Sequence, residues 1–323
     1  MVITPWPHDG VLTWATDALA DRGCRLIADP VVVRAHPWAT TLMVMVAPGL
    51  DGPGPDRLWV KAASPPFAYE MRLLAVLSAL APQAMPAVID LAPEQGFALL
   101  ADGGPTIEGD PTVETWTQML VRYAEVQRLL ADHPETLLTA GLPDLRPTRA
   151  AEALAELTRW GDVLAVGEPY GLTQREADDV RALLPAVHAV AARLETAGMP
   201  ATVQHDDLQP SNVLGNGRLI DWGDASLAHP FASLRTALGA GMERPGTPVE
   251  RGQMRDAYLT AFVDRSLTPT ELAELREQAR LAGLLAPAGR ILTWLRVPGA
   301  LEVYPDAVTI WWRRVLASDW RVE

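Results

Sequence analysis

The stretch Val203–Ala225, VQHDDLQPSNVLGNGRLIDWGDA, decides which fold this chain can adopt. It contains the pattern His-x-Asp-Leu-x-x-x-Asn, which begins at His205 and includes Asp207 and Asn212. Nine residues beyond Asn212, Asp221 ends a short apolar segment and is followed by Trp-Gly. Each residue alone would be a weak signal, but their joint spacing is specific. The pattern predicts two carboxylates and one amide that serve a common chemistry.

Phosphoryl transfer requires residues of these types. Its transition state spreads negative charge over phosphate oxygens, so catalysis consists mainly of positioning and electrostatic stabilisation. A carboxylate beside the acceptor hydroxyl can orient it and accept its proton, which is the role predicted for Asp207. Magnesium prefers oxygen ligands and retains some of its waters, so Asn212 and Asp221 suffice as protein ligands. A hairpin at 215–217, Gly-Asn-Gly, is expected to bring Asp221 back towards the other two.

An upstream lysine adds a nucleotide-binding element to this pattern. Lys61 follows the apolar segment 57–60 and is expected inside a strand. A lysine in this position can direct its charge at the α- and β-phosphates of a nucleotide. Such a lysine needs a carboxylate to hold it. Glu70, nine residues further on in a predicted helix, is the nearest candidate.

The predicted secondary structure changes near residue 105 from mainly strands to mainly helices. Before it, strands are expected around 24–34, 39–47, 57–63, 86–91 and 96–101, with helices at 9–22 and 66–80. After it, helical patterns dominate at 112–131, 147–160, 173–197, 230–242, 248–264, 269–287 and 305–318, and only 202–204, 212–215 and 218–221 resemble strands. The run Asp-Gly-Gly-Pro at 102–105 is expected to be a hinge.

Composition argues against several functional classes. The 27 basic and 40 acidic residues give a formal charge of −13, which disfavours nucleic acid and anionic membranes as partners but leaves a cationic acceptor open. The single cysteine, Cys24, excludes an internal disulfide, and no His/Cys cluster offers a zinc site. The sequence shows neither a long apolar run nor a signal-peptide pattern, so we expect a soluble, cytoplasmic protein.

Four segments, WVKAA, AYEMRLLAVL, QHDDLQPSNVL and LIDWGDA, together resemble the aminoglycoside phosphotransferase and choline kinase family. The resemblance spans roughly residues 25–240. It implies an α+β, bilobal, protein-kinase-like fold with a small antiparallel β N-terminal lobe and a larger, mainly helical C-terminal lobe. In that fold, residues 1–101 would bind the nucleotide, 102–105 would form the hinge, and 106–323 would carry catalysis and acceptor binding.

The resemblance also implies roles for individual residues. ATP and Mg²⁺ are the expected co-substrate and cofactor, with GTP kept open. The resemblance implies that Asp207 is the catalytic base and that Asn212 and Asp221 bind magnesium. Lys61 and Glu70 would hold the phosphates. The backbone of the hinge positions Ala101 and Gly103 would line the adenine site.

The chain departs from the family pattern in three places. Asp206 stands where relatives usually carry a small residue, often glycine, so either of two adjacent aspartates could be the base; the spacing favours Asp207. No Gly-x-Gly-x-x-Gly precedes Lys61, and the loop over the phosphates is expected at 34–40. Segment 229–233 lacks an aspartate that often supports the catalytic loop, so that support must come from elsewhere.

The sequence therefore predicts a kinase that transfers the γ-phosphoryl group of ATP to a hydroxyl of a small molecule. The acceptor classes considered are aminoglycosides, amino sugars, amino alcohols and related metabolites. The alternative is a catalytically silent, nucleotide-binding pseudo-kinase with a regulatory or scaffolding role. A protein kinase is disfavoured, since the metal segment reads Asp-Trp-Gly and no Ala-Pro-Glu follows it. The oligomeric state is left open.

Overall fold

The computed structural model describes residues 9–50, 52, 54, 56–239, 245–297 and 299–321. The chain divides into two compact units. The first runs to Pro105 and also includes Leu214–Gly223, whereas the second comprises Thr106–Val213 and the residues from Asp224 onward. The first unit contains an antiparallel sheet and the second is mainly helical. The predicted α+β class is confirmed.

The first unit is built on a six-stranded antiparallel sheet with the order β1-β3-β4-β6-β5, in which β2 also pairs with β3. Its strands are β1 (Arg25–Leu26), β2 (Val31–Ala35), β3 (Ala39–Ala47), β4 (Asp56–Ala63), β5 (Val88–Ala92) and β6 (Phe97–Ala101). Its two helices are α1 (Asp9–Ala20) and α2 (Tyr69–Leu80).

Alternation along the central strands places Lys61 on the face opposite the main core of the first unit. Successive side chains of a strand point to opposite faces of the sheet. In β4, Leu58, Val60 and Ala62 are buried and belong to the core cluster that also contains Leu19 of α1. Lys61, which lies between two of these residues, must therefore point to the other face.

The second unit is helical around a small sheet with the order β7-β9-β8. Its strands are β7 (Asp144–Leu145), β8 (Thr202–Gln204) and β9 (Ser226–Ala228). Its helices are α3 (Val113–Leu130), α4 (Pro134–Thr139), α5 (Pro147–Leu157), α6 (Gly161–Leu164), α7 (Gln174–Ala182), α8 (Leu184–Ala197), α9 (Leu234–Leu238), α10 (Pro248–Val263), α11 (Pro269–Leu285), α12 (Pro287–Arg296), α13 (Ala300–Val303) and α14 (Ala307–Leu316). None of the helices in the described ranges has both the length and the apolar composition needed to cross a bilayer.

Proline and threonine mark many of the helix starts. Helices α3, α7, α10 and α11 each begin with a threonine capping box, in which the threonine hydroxyl accepts from the third backbone amide of the helix. The predicted helix 173–197 is instead two helices, α7 and α8, and Pro185 lies in the first turn of the second. Proline suits this position because its missing N–H needs no partner there.

Other short elements also differ from the predictions. The strand expected around 24–34 is two strands, β1 and β2, and the intervening segment ends at Pro30. The strands expected at 212–215 and 218–221 are reduced to isolated bridges around the predicted hairpin. The helix expected over 230–242 is a 3-10 turn followed by the five-residue helix α9, and residues 240–242 lie outside the described residues.

The hairpin segment 214–223 belongs to the first unit because its backbone is bonded there. The amide of Gly215 donates to the carbonyl of Pro105 at 2.9 Å, and the amide of Leu219 donates to the carbonyl of Ala84 at 2.8 Å. The side chain of Leu214 also packs closely against Gly103. The assignment of a nucleotide-binding lobe, a hinge and a catalytic lobe stays a prediction.

We expect Gly103→Ala to destabilise the protein by about 1–3 kcal/mol, because overpacking a filled site forces neighbours apart. A Cβ at this position would overlap Leu214 Cδ1 and lie 3.0 Å from Pro86 Cγ. Gly109→Ala is the matched control, since a Cβ there would have no neighbour within 4 Å. Urea denaturation measures both variants, and equal stabilities would contradict the prediction.

Candidate active site

Lys61 lies between two carboxylates in the first unit. Its Nζ is 2.7 Å from Glu70 Oε1 and 2.7 Å from Asp221 Oδ1. The side chains of Lys61 and Glu70 are only 12% and 3% exposed, whereas that of Asp221 is 39% exposed. The structure thus brings together three residues predicted from the sequence, although Asp221 is 160 residues from Lys61. One of the two carboxylates remains open to solvent or ligand.

Burial and charge act in opposite directions on this group. Burial by itself would lower the pKa of Lys61, but the carboxylates of Asp221 and Glu70 outweigh it and raise that pKa. Burial raises the pKa of Glu70, and Lys61 only partly offsets this. Because an isolated buried charge is costly, the three groups stabilise one another's positions. The ammonium therefore stays charged over the physiological range.

Backbone contacts fix the segment that carries Asp221. Asp221 itself has a φ of 63°, a left-handed conformation that is uncommon for a residue with a side chain. The amide of Trp222 donates to Glu70 Oε1 at 3.1 Å, and the hydroxyl of Tyr69 donates to the carbonyl of Gly223. Helix α2 thus holds both the lysine and the backbone around Asp221.

The loop above Lys61 is a tight turn between β2 and β3. The amide of His36 donates to the carbonyl of Ala39 at 2.9 Å, and the rings of His36 and Trp38 stack with centroids 4.6 Å apart. Burial and Arg34 lower the pKa of His36, although the charge of Asp221 acts in the opposite direction. The loop predicted to cover the phosphates is therefore close enough to Asp221 for their charges to interact.

Asp102 fixes the predicted hinge, a role that the sequence did not suggest. Its Oδ2 accepts from Arg57 Nε at 2.8 Å, and its Oδ1 accepts from Trp59 Nε1 at 2.9 Å. The amide of Ala101 donates to the carbonyl of Ala87. The carbonyl of Gly103 accepts from Asn216 at 3.3 Å. The nucleotide contacts expected of Ala101 and Gly103 stay predictions.

Asp207 and Asn212 are paired in the second unit. Asn212 Nδ2 donates to Asp207 Oδ2 at 2.9 Å and to the Asp207 carbonyl at 3.0 Å. Gln209 Nε2 also donates to Asp207 Oδ2, at 2.8 Å. A 3-10 turn at Pro210–Asn212 makes the chain double back between the two partners. The carboxylate is therefore held in one orientation by two amide groups.

The amide oxygen of Asn212 is free to bind a ligand. Asn212 Oδ1 is buried and has no hydrogen-bond partner among the described residues. A buried polar atom of this kind normally has a partner, and magnesium prefers oxygen donors. Asp221, in the first unit, offers a partly exposed carboxylate. Both predicted magnesium ligands therefore have the chemistry that the ion requires.

Arg290 contacts the carboxylate of Asp207, and sequence reasoning missed it. Its Nη1 is 3.5 Å from Asp207 Oδ1 and forms a closer ion pair with Asp224. The side chain of Arg290 is 11% exposed. Although burial alone would lower its pKa, Asp224 and Asp207 raise it. Arg290 lies on α12, outside the motif region, and the sequence contains no local signal that pairs it with the catalytic loop.

Asp206, which precedes Asp207 in the same loop, is fully buried. It has a φ of 66°, a left-handed conformation that glycine adopts more readily than a residue with a side chain. Its Oδ1 accepts from Gln204 Nε2 at 2.7 Å, and a Cβ added to Gly289 would overlap its Oδ2. Burial raises the pKa of Asp206 to about 7, against the opposing effects of Arg290 and Gln204. Its full burial argues against contact with an acceptor.

A buried network supports the loop that carries Asp207. The amide of His205 donates to the hydroxyl of Tyr123 at 2.9 Å, and that hydroxyl is 2.8 Å from Ser233 Oγ. Gln127 Nε2 donates to the carbonyls of Val203 and Pro230 at 2.8 and 3.1 Å. The support therefore comes from helix α3 and from Ser233 in segment 229–233.

Comparison with known protein families gives one match that covers most of the chain. Residues 51–275 match the family described as the phosphotransferase enzyme family, APH. A search of curated protein sequences found no match.

Solved structures show where the fold recurs. The chain is similar to a macrolide 2'-phosphotransferase type I, with a TM-score of 0.53 at 15% identity over 98% of this chain and 100% of the other. It is also similar to a choline/ethanolamine kinase family protein from Mesorhizobium loti, with a TM-score of 0.56 at 15% identity over 95% and 94%. A Plasmodium vivax ethanolamine kinase gives 0.59 at 12% identity over 90% and 81%. The predicted protein-kinase-like fold is confirmed.

We expect Asp206→Asn to change the pH dependence of stability. Because the folded-state pKa is raised to about 7, stability from the protonated carboxyl is present below pH 4 and lost as pH rises through 7. The neutral variant lacks this loss, so its Tm relative to wild type is expected to be higher at pH 8 than at pH 5. Asn also tolerates left-handed backbone.

Asp162→Asn provides the control for this measurement, since Asp162 is exposed in the same unit. Its Tm difference from wild type is expected to be the same at both pH values. Parallel Tm curves for Asp206→Asn and wild type would contradict the raised pKa.

Proposed function

Because the chain belongs to the phosphotransferase enzyme family, we propose that it is a magnesium-dependent kinase that transfers the γ-phosphoryl group of ATP to a hydroxyl group of a small molecule. Family membership confirms the resemblance found in the sequence and the prediction of a phosphotransferase enzyme. The nucleotide, the metal, the acceptor and the roles of individual residues belong to the proposal.

The arrangement of Asp207 and Asn212 carries the proposal. The amide nitrogen of Asn212 holds the carboxylate of Asp207, while the amide oxygen is buried and unpartnered. A general base must be fixed within reach of the hydroxyl proton that it accepts. A magnesium ligand must present a free oxygen. The side-chain nitrogen of Asn212 would thus hold the base, and its side-chain oxygen would bind the metal.

We assign the proton-accepting role to Asp207 and the metal-binding roles to Asn212 and Asp221. Bound magnesium would neutralise charge on the phosphate oxygens. Lys61, fixed by Glu70, would bind the phosphates as a point charge. In this scheme Asp207 orients the acceptor hydroxyl and accepts its proton as the new O–P bond forms, while the bond from the γ-phosphorus to the β–γ bridging oxygen breaks and ADP leaves.

A product screen tests the proposal directly. The protein is incubated with magnesium-ATP and pooled amino alcohols, sugars, sugar acids and aminoglycosides, and mass spectrometry detects the gain of one phosphate. A phosphorylated small molecule is the expected product. Nucleotide binding in a thermal-shift assay without any product across a broad panel would favour the pseudo-kinase alternative.

We expect Asp207→Asn to lower kcat by about 10²–10⁴-fold, the usual contribution of a general base. Nucleotide affinity is expected to change less than twofold, because the variant keeps the size and polarity of the side chain. Asp162→Asn, at an exposed position of the same unit, is the control. Near-normal turnover of Asp207→Asn would remove this residue from the proposed role.

We expect Asp221→Asn to weaken binding of magnesium-nucleotide at least tenfold, about 1.4 kcal/mol, since it removes the charged metal ligand. Binding of nucleotide in the presence of EDTA should change much less. Asp29→Asn, an exposed position in the same unit, is the control. Calorimetric titration measures both affinities, and an unchanged affinity for magnesium-nucleotide would count against the metal assignment.

A further inference from the structure

Two arginines of the second unit lie against the same tryptophan ring, and the charge of one of them acts on a third arginine. We call this set the arginine cluster: Arg235 on α9, Arg290 on α12 and Arg314 on α14. The guanidinium carbons of Arg290 and Arg314 lie 5.8 and 4.3 Å from the ring centroid of Trp311. Arg290 also contacts Asp207. The cluster is therefore anchored next to the proposed general base.

Among the described residues, only one member of the cluster is paired with acidic side chains. Arg290 pairs with Asp207 and Asp224, and it also faces the buried carboxyl of Asp206. In the part of the chain that the structure describes, Arg235 and Arg314 have no carboxylate partner. Arg290 Nε is likewise buried without a hydrogen-bond partner among these residues. Two positive charges and one further donor are thus left unmatched.

This arrangement is electrostatically costly. Burial and the charge of Arg314 lower the pKa of Arg235, while burial and the charge of Arg290 lower the pKa of Arg314. Both side chains are only partly exposed. Like charges in a partly buried environment repel each other and lose hydration. The unmatched cations stand out because the whole chain carries a formal charge of −13.

An anion would relieve this cost. Guanidinium groups bind carboxylates and phosphates through paired, charge-assisted hydrogen bonds. We propose that the arginine cluster binds an anionic group, a carboxylate or a phosphate ester, of the acceptor molecule, with Arg314 as its principal contact. This inference rests on the proposed function and specifies the substrate class: a hydroxylated acid.

Trp311 supports an anionic acceptor over a cationic one. Aromatic rings attract quaternary and primary ammonium groups through their faces. Here the side chain of Trp311 is buried, and the guanidiniums of Arg314 and Arg290 already lie against its ring. An ammonium group placed beside this ring would meet two positive charges. The amine-bearing acceptor left open by the net charge is therefore disfavoured at this position.

A matched set of six-carbon acceptors tests the proposal. Gluconate, sorbitol and glucamine differ only at C1, which is a carboxylate, a hydroxymethyl or an aminomethyl group, respectively. Turnover with saturating magnesium-ATP gives kcat/KM for each. We expect gluconate to exceed the other two by at least tenfold. A preference for sorbitol or glucamine would overturn the proposal while leaving the kinase activity itself established.

Substitutions of the arginines distinguish a role in binding the anion from a role in packing. Arg314→Gln is expected to raise KM for the acidic acceptor about 10- to 100-fold, with KM for ATP within twofold of wild type. Arg314→Lys, which keeps the charge, should recover part of the loss. Arg193→Gln, at an exposed position of α8, is the control. Equal losses with acidic and neutral acceptors would show a packing role and overturn the proposal.

A binding measurement decides the case if none of the three acceptors is turned over. The protein is saturated with magnesium and a non-hydrolysable ATP analogue, and inorganic sulfate is titrated by calorimetry. We expect millimolar sulfate binding that Arg314→Gln removes and Arg193→Gln preserves. Absence of sulfate binding, or binding unchanged in Arg314→Gln, would overturn the proposal.

The same titration distinguishes this inference from the proposed function. Failure of the protein to bind the nucleotide analogue would contradict the proposed function alone. Sulfate is then titrated into the nucleotide-free protein, and sensitivity to Arg314→Gln still decides whether the arginine cluster binds anions.

Discussion

One buried ammonium group holds three separate segments of the first unit together. Lys61 comes from β4, Glu70 from α2, and Asp221 from the hairpin segment that returns late in the sequence. Removing the lysine would leave two carboxylates facing each other with little water around one of them. Breaking a buried pair in this way typically costs about 3–5 kcal/mol. The sheet, the helix and the segment that carries Asp221 are therefore tied together by a single positive charge.

In the second unit, a guanidinium group holds two carboxylates as the ammonium group does in the first. Arg290 holds the carboxylates of Asp207 and Asp224. Asn212 and Gln209 fix the other oxygen of Asp207. Because the guanidinium is planar and always charged, it orients a carboxylate without competing for its proton. The carboxylate of Asp207 is thus held by groups on both sides, while the amide oxygen of Asn212 has no hydrogen-bond partner among the described residues.

The sequence predicted those parts of the site that depend on local spacing. Asp207 and Asn212 are five residues apart on one loop, and Lys61 and Glu70 are nine apart across one strand-to-helix connection. Arg290 and the Tyr123 network were missed, since they lie on helices whose faces meet only through tertiary packing. Periodicity shows that a helix has a buried face but not which residue that face meets. Short elements such as β7 and α6 were missed for a related reason, because they contain too few residues to show a period.

The first unit is encoded by two separate stretches of the gene, because it includes the ten residues of segment 214–223 as well as the residues up to Pro105. A fragment ending at Pro105 would lack the aspartate that shares the charge of Lys61, and it would expose the carbonyls of Ala84 and Pro105 that the hairpin amides now occupy. A single crossover near residue 105 between homologous genes would therefore pair the sheet of one parent with the hairpin segment of the other. A recombinant that keeps the whole first unit from one parent needs the hairpin segment as well, which adds two further junctions.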